Sequence, residues 1–246
     1  MSQIIVSEWR KLRSTPTMWW LLAATIVVAI GGAILGFVAA DLRDLAPGTG
    51  EGLQTGLHIV GLSSTLAEVA GIIGMAGEFR FGQAEQTFLS TPRRSRVVVA
   101  KSVVYGLLGA VFGILNSALA LATAWIWLTA KGVGLSLGQS LLWSILGGGV
   151  ASAALFALLG VGIGALLRNQ VVTIIAVLVI QTVIEPAILG ASSGVGRFLP
   201  SVAAEGLRRF PAADLLSAVP AAAVLATWCA VVLTVGLLRT RRADII

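Results

Sequence analysis

Six apolar stretches dominate this chain: Met18 to Ala40, Leu57 to Gly77, Ser102 to Leu128, Ser140 to Leu167, Val171 to Ala191 and Leu215 to Leu238. A helix of about twenty apolar residues crosses a hydrocarbon core roughly 30 Å thick. A soluble domain has no place to hide six of them. With 57% hydrophobic and only 11% charged residues in 246, the chain falls outside the range of soluble globular domains. The reading is an all-α polytopic membrane protein with a single membrane domain spanning residues 1–246. The first run is longer than a signal-peptide core and lacks a small-x-small cleavage site after it, so it is expected to stay as a mature span. No fixed-period repeat and no pair of inverted halves is visible.

The net charge of +6 does not indicate nucleic acid, because the basic residues sit at the ends of apolar runs and form no single stripe. Twelve of the 17 Lys and Arg fall on one side of the expected membrane, namely the N-terminus, the connection after span two, Arg168 and the C-terminus. The positive-inside bias then puts both termini in the cytoplasm. Pro16 suits a helix start. Pro186 and Pro220 fall inside expected spans, where they predict kinks or breaks. Gly147, Gly148 and Gly149, followed by Gly160, Gly162 and Gly164, predict close packing of span four, within the chain or across a seam between two copies.

Enzyme chemistry finds little material. The chain has one His, His58, and one Cys, Cys229, the latter within the last apolar run. HExxH, GxSxG and GxxxxGK[ST] are missing, as is any metal-ligand spacing of His, Cys or Asp. No catalytic residue, metal or resident cofactor is expected, and any ATP-driven work requires a second polypeptide.

Two segments are informative. In Ile4 to Ser14, Ile5, Trp9 and Leu12 fall on one helical stripe flanked by Arg10, Lys11 and Arg13, which predicts an amphipathic helix at the membrane interface. Trp19 and Trp20 form an aromatic belt at the start of span one. After span two, the stretch from Glu78 to Lys101 includes Arg80, Glu85, Phe88 and Leu89, then Thr91-Pro92 and the basic cluster Arg93, Arg94 and Arg96. Gln83 to Leu89 reads as a short helix stopped before Pro92, with Phe88 and Leu89 as knobs for a partner's groove.

The order Ser7-Glu8-Trp9-Arg10-Lys11-Leu12-Arg13-Ser14 before Trp19-Trp20, followed by Glu78 through Gly82, Glu85, Leu89, Thr91-Pro92, Arg93-Arg94 and Lys101, resembles the ABC-2 type permease family of ATP-binding-cassette transporters. That resemblance implies an N-terminal elbow helix in residues 1–17 and a cytoplasmic coupling helix in the 78–101 loop. It also implies outer re-entrant helices in 186–214, around Arg197, Glu205, Arg208 and Arg209. Implied partners are two copies of a separate ATPase holding ATP and Mg, a second permease copy, identical or not, and the lipid bilayer. The implied function is the substrate pathway of an exporter working by alternating access. Composition adds a bacterial plasma membrane.

Two other classes stay open: a proton- or ion-coupled carrier, and a membrane sensor that recruits a regulator through the same loop. Glu68, near the middle of span two, is costly as an ionised group and needs a partner, with Asn116, Gln181 or a serine as donor. It either makes a structural hydrogen bond or faces the pathway. Glu185, further along span five, then marks the exit.

Overall fold

The computed structural model describes residues 2–42, 45, 49–80, 94–212 and 214–242, and every regular element among them is helical. The order is α1 (Ser2–Ser14), α2 (Pro16–Leu42), α3 (Gly50–Leu57), a 3₁₀ turn (His58–Gly61), α4 (Leu62–Arg80), α5 (Arg94–Ala130) and α6 (Ser140–Leu167). Then follow α7 (Gln170–Val179), a π turn (Ile180–Ile184), α8 (Glu185–Ala191), α9 (Ser193–Gly196), α10 (Pro200–Leu207) and α11 (Ala218–Arg242). Six helical stretches are long and apolar enough to cross a membrane: Pro16–Asp41, Gly50–Arg80, Ser95–Ala130, Ser140–Leu167, Gln170–Ala191 and Ala218–Thr240.

The crossings match the expected six, but three of their starts move. Span two is preceded by α3, whose N-cap Thr49 accepts a hydrogen bond from the Gly52 N–H and whose first turn carries Glu51. Both are helix-start signals. Span three begins eight residues before the expected Ser102, so Lys101 lies inside a helix and not in a loop. The last helix begins at Ala218, which puts Pro220 in its first turn. There the missing N–H is harmless, so the kink expected at Pro220 does not occur. Pro186 does disturb its span: it cannot donate to the preceding turn, and the π turn at Ile180–Ile184 lies immediately upstream.

The hub is α6, which packs against α4, α5 and α11. Its glycines permit this, since a Cβ on Gly160 would collide with the Glu68 carbonyl of α4 and one on Gly162 with Val232 of α11. From the other side, a Cβ on Gly71 would collide with the Ala157 carbonyl. Packing within the chain thus uses the glycines of span four, although Gly147 faces open space. A second core cluster joins Ala33 and Phe37 of α2 to Ala120 and Ala124 of α5 and Leu142 and Ile145 of α6. Span five is the least enclosed crossing, with 17% of its apolar window buried.

Contacts sort the connections onto two ends. At one, Arg168 donates to the Arg239 carbonyl (2.9 Å) and lies over the Phe79 ring, and Lys11 of α1 reaches Glu78. At the other, Lys131 pairs with Asp41 (2.8 Å) and Gln54 donates to the Arg209 carbonyl (2.8 Å). α1, the end of α4 and the end of α11 therefore share one end of the bundle.

Candidate functional sites at the two ends of the bundle

The end that carries α1 is held by a four-residue ion cluster. Lys101 of α5, 1% exposed, places its ammonium 2.6 Å from Glu8 Oε2, 3.0 Å from Glu78 Oε1 and 2.9 Å from the Gly74 carbonyl. Its three N–H donors are all engaged. Lys11 completes the ring, 3.0 Å from Glu8 Oε1 and 2.8 Å from Glu78 Oε1. Each carboxylate meets both ammoniums, so the cluster is neutral as a whole. Burial alone would raise the Glu8 carboxyl, but Lys101 and then Lys11 override it and hold it below its ordinary 4.5.

This cluster adds an ionic contact to the inward side of α1. Ile5 and Leu12 pack against the main core, Trp9 is 42% exposed, and Glu8, which lies outside the apolar stripe, turns inward. Lys101 draws Glu8 inward, because a buried ammonium without counter-charges would be far costlier. Arg10 is exposed. Trp19 and Trp20 stand outward, as an interfacial belt requires.

Glu78, Arg80 and Arg96 lie at the roots of the 81–93 connection, with Glu78 buried in the cluster and Arg96 exposed. The predicted helix Gln83 to Leu89, with Glu85, Phe88 and Leu89, lies outside the described residues, as does Arg93. Arg94 is described by its backbone only.

At the opposite end, the polar residues of spans two and five converge with α10. Gln181 Nε2 donates to Glu68 Oε2, one of the donors the sequence offered for that acid. Glu68 is 1% exposed and Glu185 3%. Glu185 accepts from the Ser201 N–H (2.8 Å) and from the Ser201 hydroxyl at the start of α10. Glu68, Gln181 and Glu185 line one cavity of about 260 Å³, walled by Leu159, Ile163 and Trp228. The two acids that the sequence placed separately therefore share a space.

Gln181 also lines a larger cavity of about 580 Å³, with His58, Ser64, Thr65, Ser201, Glu205 and Arg208 around it. The His58 ring stands 4.0 Å from that of Phe210. Burial lowers Arg208 to about 10, with Glu205 opposing that shift. Burial raises Glu205, against the pull of Arg208. Arg197, by contrast, is exposed and lies over Phe198.

Among the described residues no group of three or more His, Cys, Asp or Glu is placed to hold a metal. Neither a model of a known protein family nor a characterised protein sequence matches the chain.

Sequence reasoning missed the structural part played by Glu8 and Lys101, and it missed Ser201. For Lys101 a signal existed: Val97 to Ala100 and Val103 to Tyr105 flank it with apolar residues, the context of a buried charge. Ser201 carried none.

Proposed function

We propose that this chain is the membrane subunit of an ATP-driven exporter of the ABC-2 permease type, paired with a second copy and served by two separate ATPase subunits. One observation carries the reading: Glu78, at the root of the 81–93 connection, and Lys101, about two turns into α5, are joined to each other and to the N-terminal helix through Glu8 and Lys11. A load applied to that connection by a partner is passed to spans two and three together, while α1 resists it as a strut. Phe88, Leu89 and Glu85 are the proposed contacts with the ATPase, and ATP and Mg belong to that subunit. α1 takes the part of the elbow helix, with Trp9 and Arg10 toward lipid headgroups. The short helices α8, α9 and α10 take the part of the outer re-entrant segment.

The test is copurification of the tagged chain from its own host in mild detergent. An ATPase is expected to accompany it and to be lost when Phe88 and Leu89 are both changed to Ser, since burying the pair contributes roughly 1.5–3 kcal/mol per side chain. Retention of an active ATPase by the double variant overturns the assignment of this loop. If no ATPase accompanies the unaltered chain, the exporter reading fails.

In this reading both termini and the 81–93 connection lie in the cytoplasm of a bacterium. Single cysteines at Ser2, Ser95 and Gly50 in a Cys229→Ala background are expected to react with an impermeant maleimide on whole cells at position 50 alone. Reaction at 95 but not at 50 reverses the topology.

A second reading, an ion-coupled carrier, draws on the shared cavity of Glu68 and Glu185. Glu68→Gln separates the two: an exporter that uses Glu68 structurally keeps its transport, because Gln preserves size and hydrogen bonding. A carrier loses coupling to the ion gradient. Loss of cationic substrates alone, in an intact complex, places Glu68 on the exporter's pathway.

A further inference from the structure

The larger cavity at the end opposite the termini is lined by two opposite charges, Arg208 and Glu205, that make no ion pair within 4.0 Å among the described residues. The Arg208 guanidinium lies against the Gly61 backbone, where a Cβ would strike it. Among the described residues it has no hydrogen bond and no ion pair within 4.0 Å, although it presents five N–H donors. Glu205, three residues earlier at the end of α10, lines the same space, and its carboxylate likewise has neither among the described residues. The two opposite charges are close enough to influence one another but are held apart, with the cavity beside them. Both groups are partly exposed to the cavity, so a bound group can meet them there in place of solvent.

Both are held in position. Arg208 follows directly on α10, and the next residue, Arg209, adopts a left-handed φ of 59°. The Arg209 carbonyl accepts from Gln54 (2.8 Å), and the Phe210 ring rests on His58. A turn fixed on both sides presents the guanidinium without much further ordering, which is what a recognition site requires. The volume of about 580 Å³ lies within the usual range for small-molecule sites. The hydroxyls of Ser64 and Thr65 supply neutral polar wall.

We infer that this cavity binds a zwitterionic group, its anionic oxygens on Arg208 and its ammonium on Glu205. A simple anion would leave Glu205 unmet and repelling it, and a simple cation would do the same with Arg208. A zwitterion answers both. Two sources carry that chemistry: a membrane lipid headgroup, or a free zwitterion such as a peptide. Gln181 also lines the neighbouring cavity of Glu68 and Trp228, and Val183, two residues on along span five, is 60% exposed, so apolar surface for a tail lies close by. The inference stands apart from the exporter reading, since binding needs no ATPase.

The purified 246-residue chain in detergent is titrated with palmitoyl-oleoyl-phosphatidylethanolamine, with the matching phosphatidylglycerol, and with soluble glycerophosphoethanolamine and glycylglycine, and occupancy is read by native mass spectrometry. At least one zwitterionic probe is expected to bind more tightly than phosphatidylglycerol, and Arg208→Gln and Glu205→Gln are each expected to weaken it about tenfold or more. Phosphatidylglycerol should be weakened by Arg208→Gln and strengthened by Glu205→Gln, which removes the repulsion. Binding of the soluble zwitterions identifies a free ligand, and binding of the lipid alone identifies a headgroup. If Arg208→Gln does not fold, the near-isosteric Glu205→Gln decides. Zwitterion binding that is no tighter than that of phosphatidylglycerol, or that is unchanged in the variants that fold, overturns the inference.

Discussion

Replacing Lys101 with Met is expected to destabilise the protein by about 3–5 kcal/mol, the range for removing one partner of a buried ion pair. The side chain is 1% exposed and meets Glu8, Glu78 and the Gly74 carbonyl. Without it, two buried carboxylates share the single remaining ammonium of Lys11. Met fills the same volume, so the loss reports charge and not a void. Adding Glu8→Gln to Lys101→Met should recover part of the loss, because it removes one stranded carboxylate. The checks are the detergent melting midpoint and tryptic release of α1 at Arg10 and Arg13. A single variant that melts with the parent would show that the cluster does not hold α1.

Acid should act on the same latch. The folded Glu8 carboxyl is held below its ordinary 4.5, so the stability it contributes is fully present above that value and is lost as pH falls through the folded value. Release of α1 is therefore expected only below about pH 4.5, and neutral conditions keep the latch closed.

What the sequence made legible follows from what periodicity and length report. A run of apolar residues reveals a crossing whatever lies beside it, so the six spans were readable along with the basic end. The α1 helix was readable from its amphipathic spacing, but the inward turn of Glu8 was not, because Glu8 is drawn in by Lys101, a residue 93 positions away. No pattern along one helix names its neighbour. Glu68 was legible as an acid in need of a donor, and Gln181 stood among the candidates. Its cavity with Glu185 was not, because that depends on α10 folding back so that Ser201 meets Glu185. Arg208 was noticed only as one of several outer charges, and its place at the cavity wall appears only once Gly61 and Glu205 are placed around it.

The other large effect is expected at the seam between α4 and α6. There the backbones touch in a reciprocal pattern, Gly160 over the Glu68 carbonyl and Gly71 over the Ala157 carbonyl, positions one turn apart on each helix. A side chain at 160 meets backbone, which cannot rotate aside as a flexible side chain would. Overpacking typically costs about 1–3 kcal/mol, and a rigid neighbour puts Gly160→Leu at the upper end or beyond. Gly160→Ala should already be destabilising, against the general helix preference for Ala of about 1 kcal/mol. Gly147 in the same helix supplies the internal control: nothing lies within 4 Å of its would-be Cβ, so Gly147→Ala should be neutral or stabilising. The opposite signs of two identical substitutions on one helix, read as melting midpoints, distinguish close approach from propensity. Separation of the helices also shifts Glu68, whose own carbonyl is the contact, away from Gln181. Gly160→Leu should therefore disturb the cavity that Glu68 shares with Glu185 while leaving the ion cluster around Lys101 in place, so that trypsin still fails to release α1. If Gly160→Leu melts with the parent, the two helices do not approach at this point.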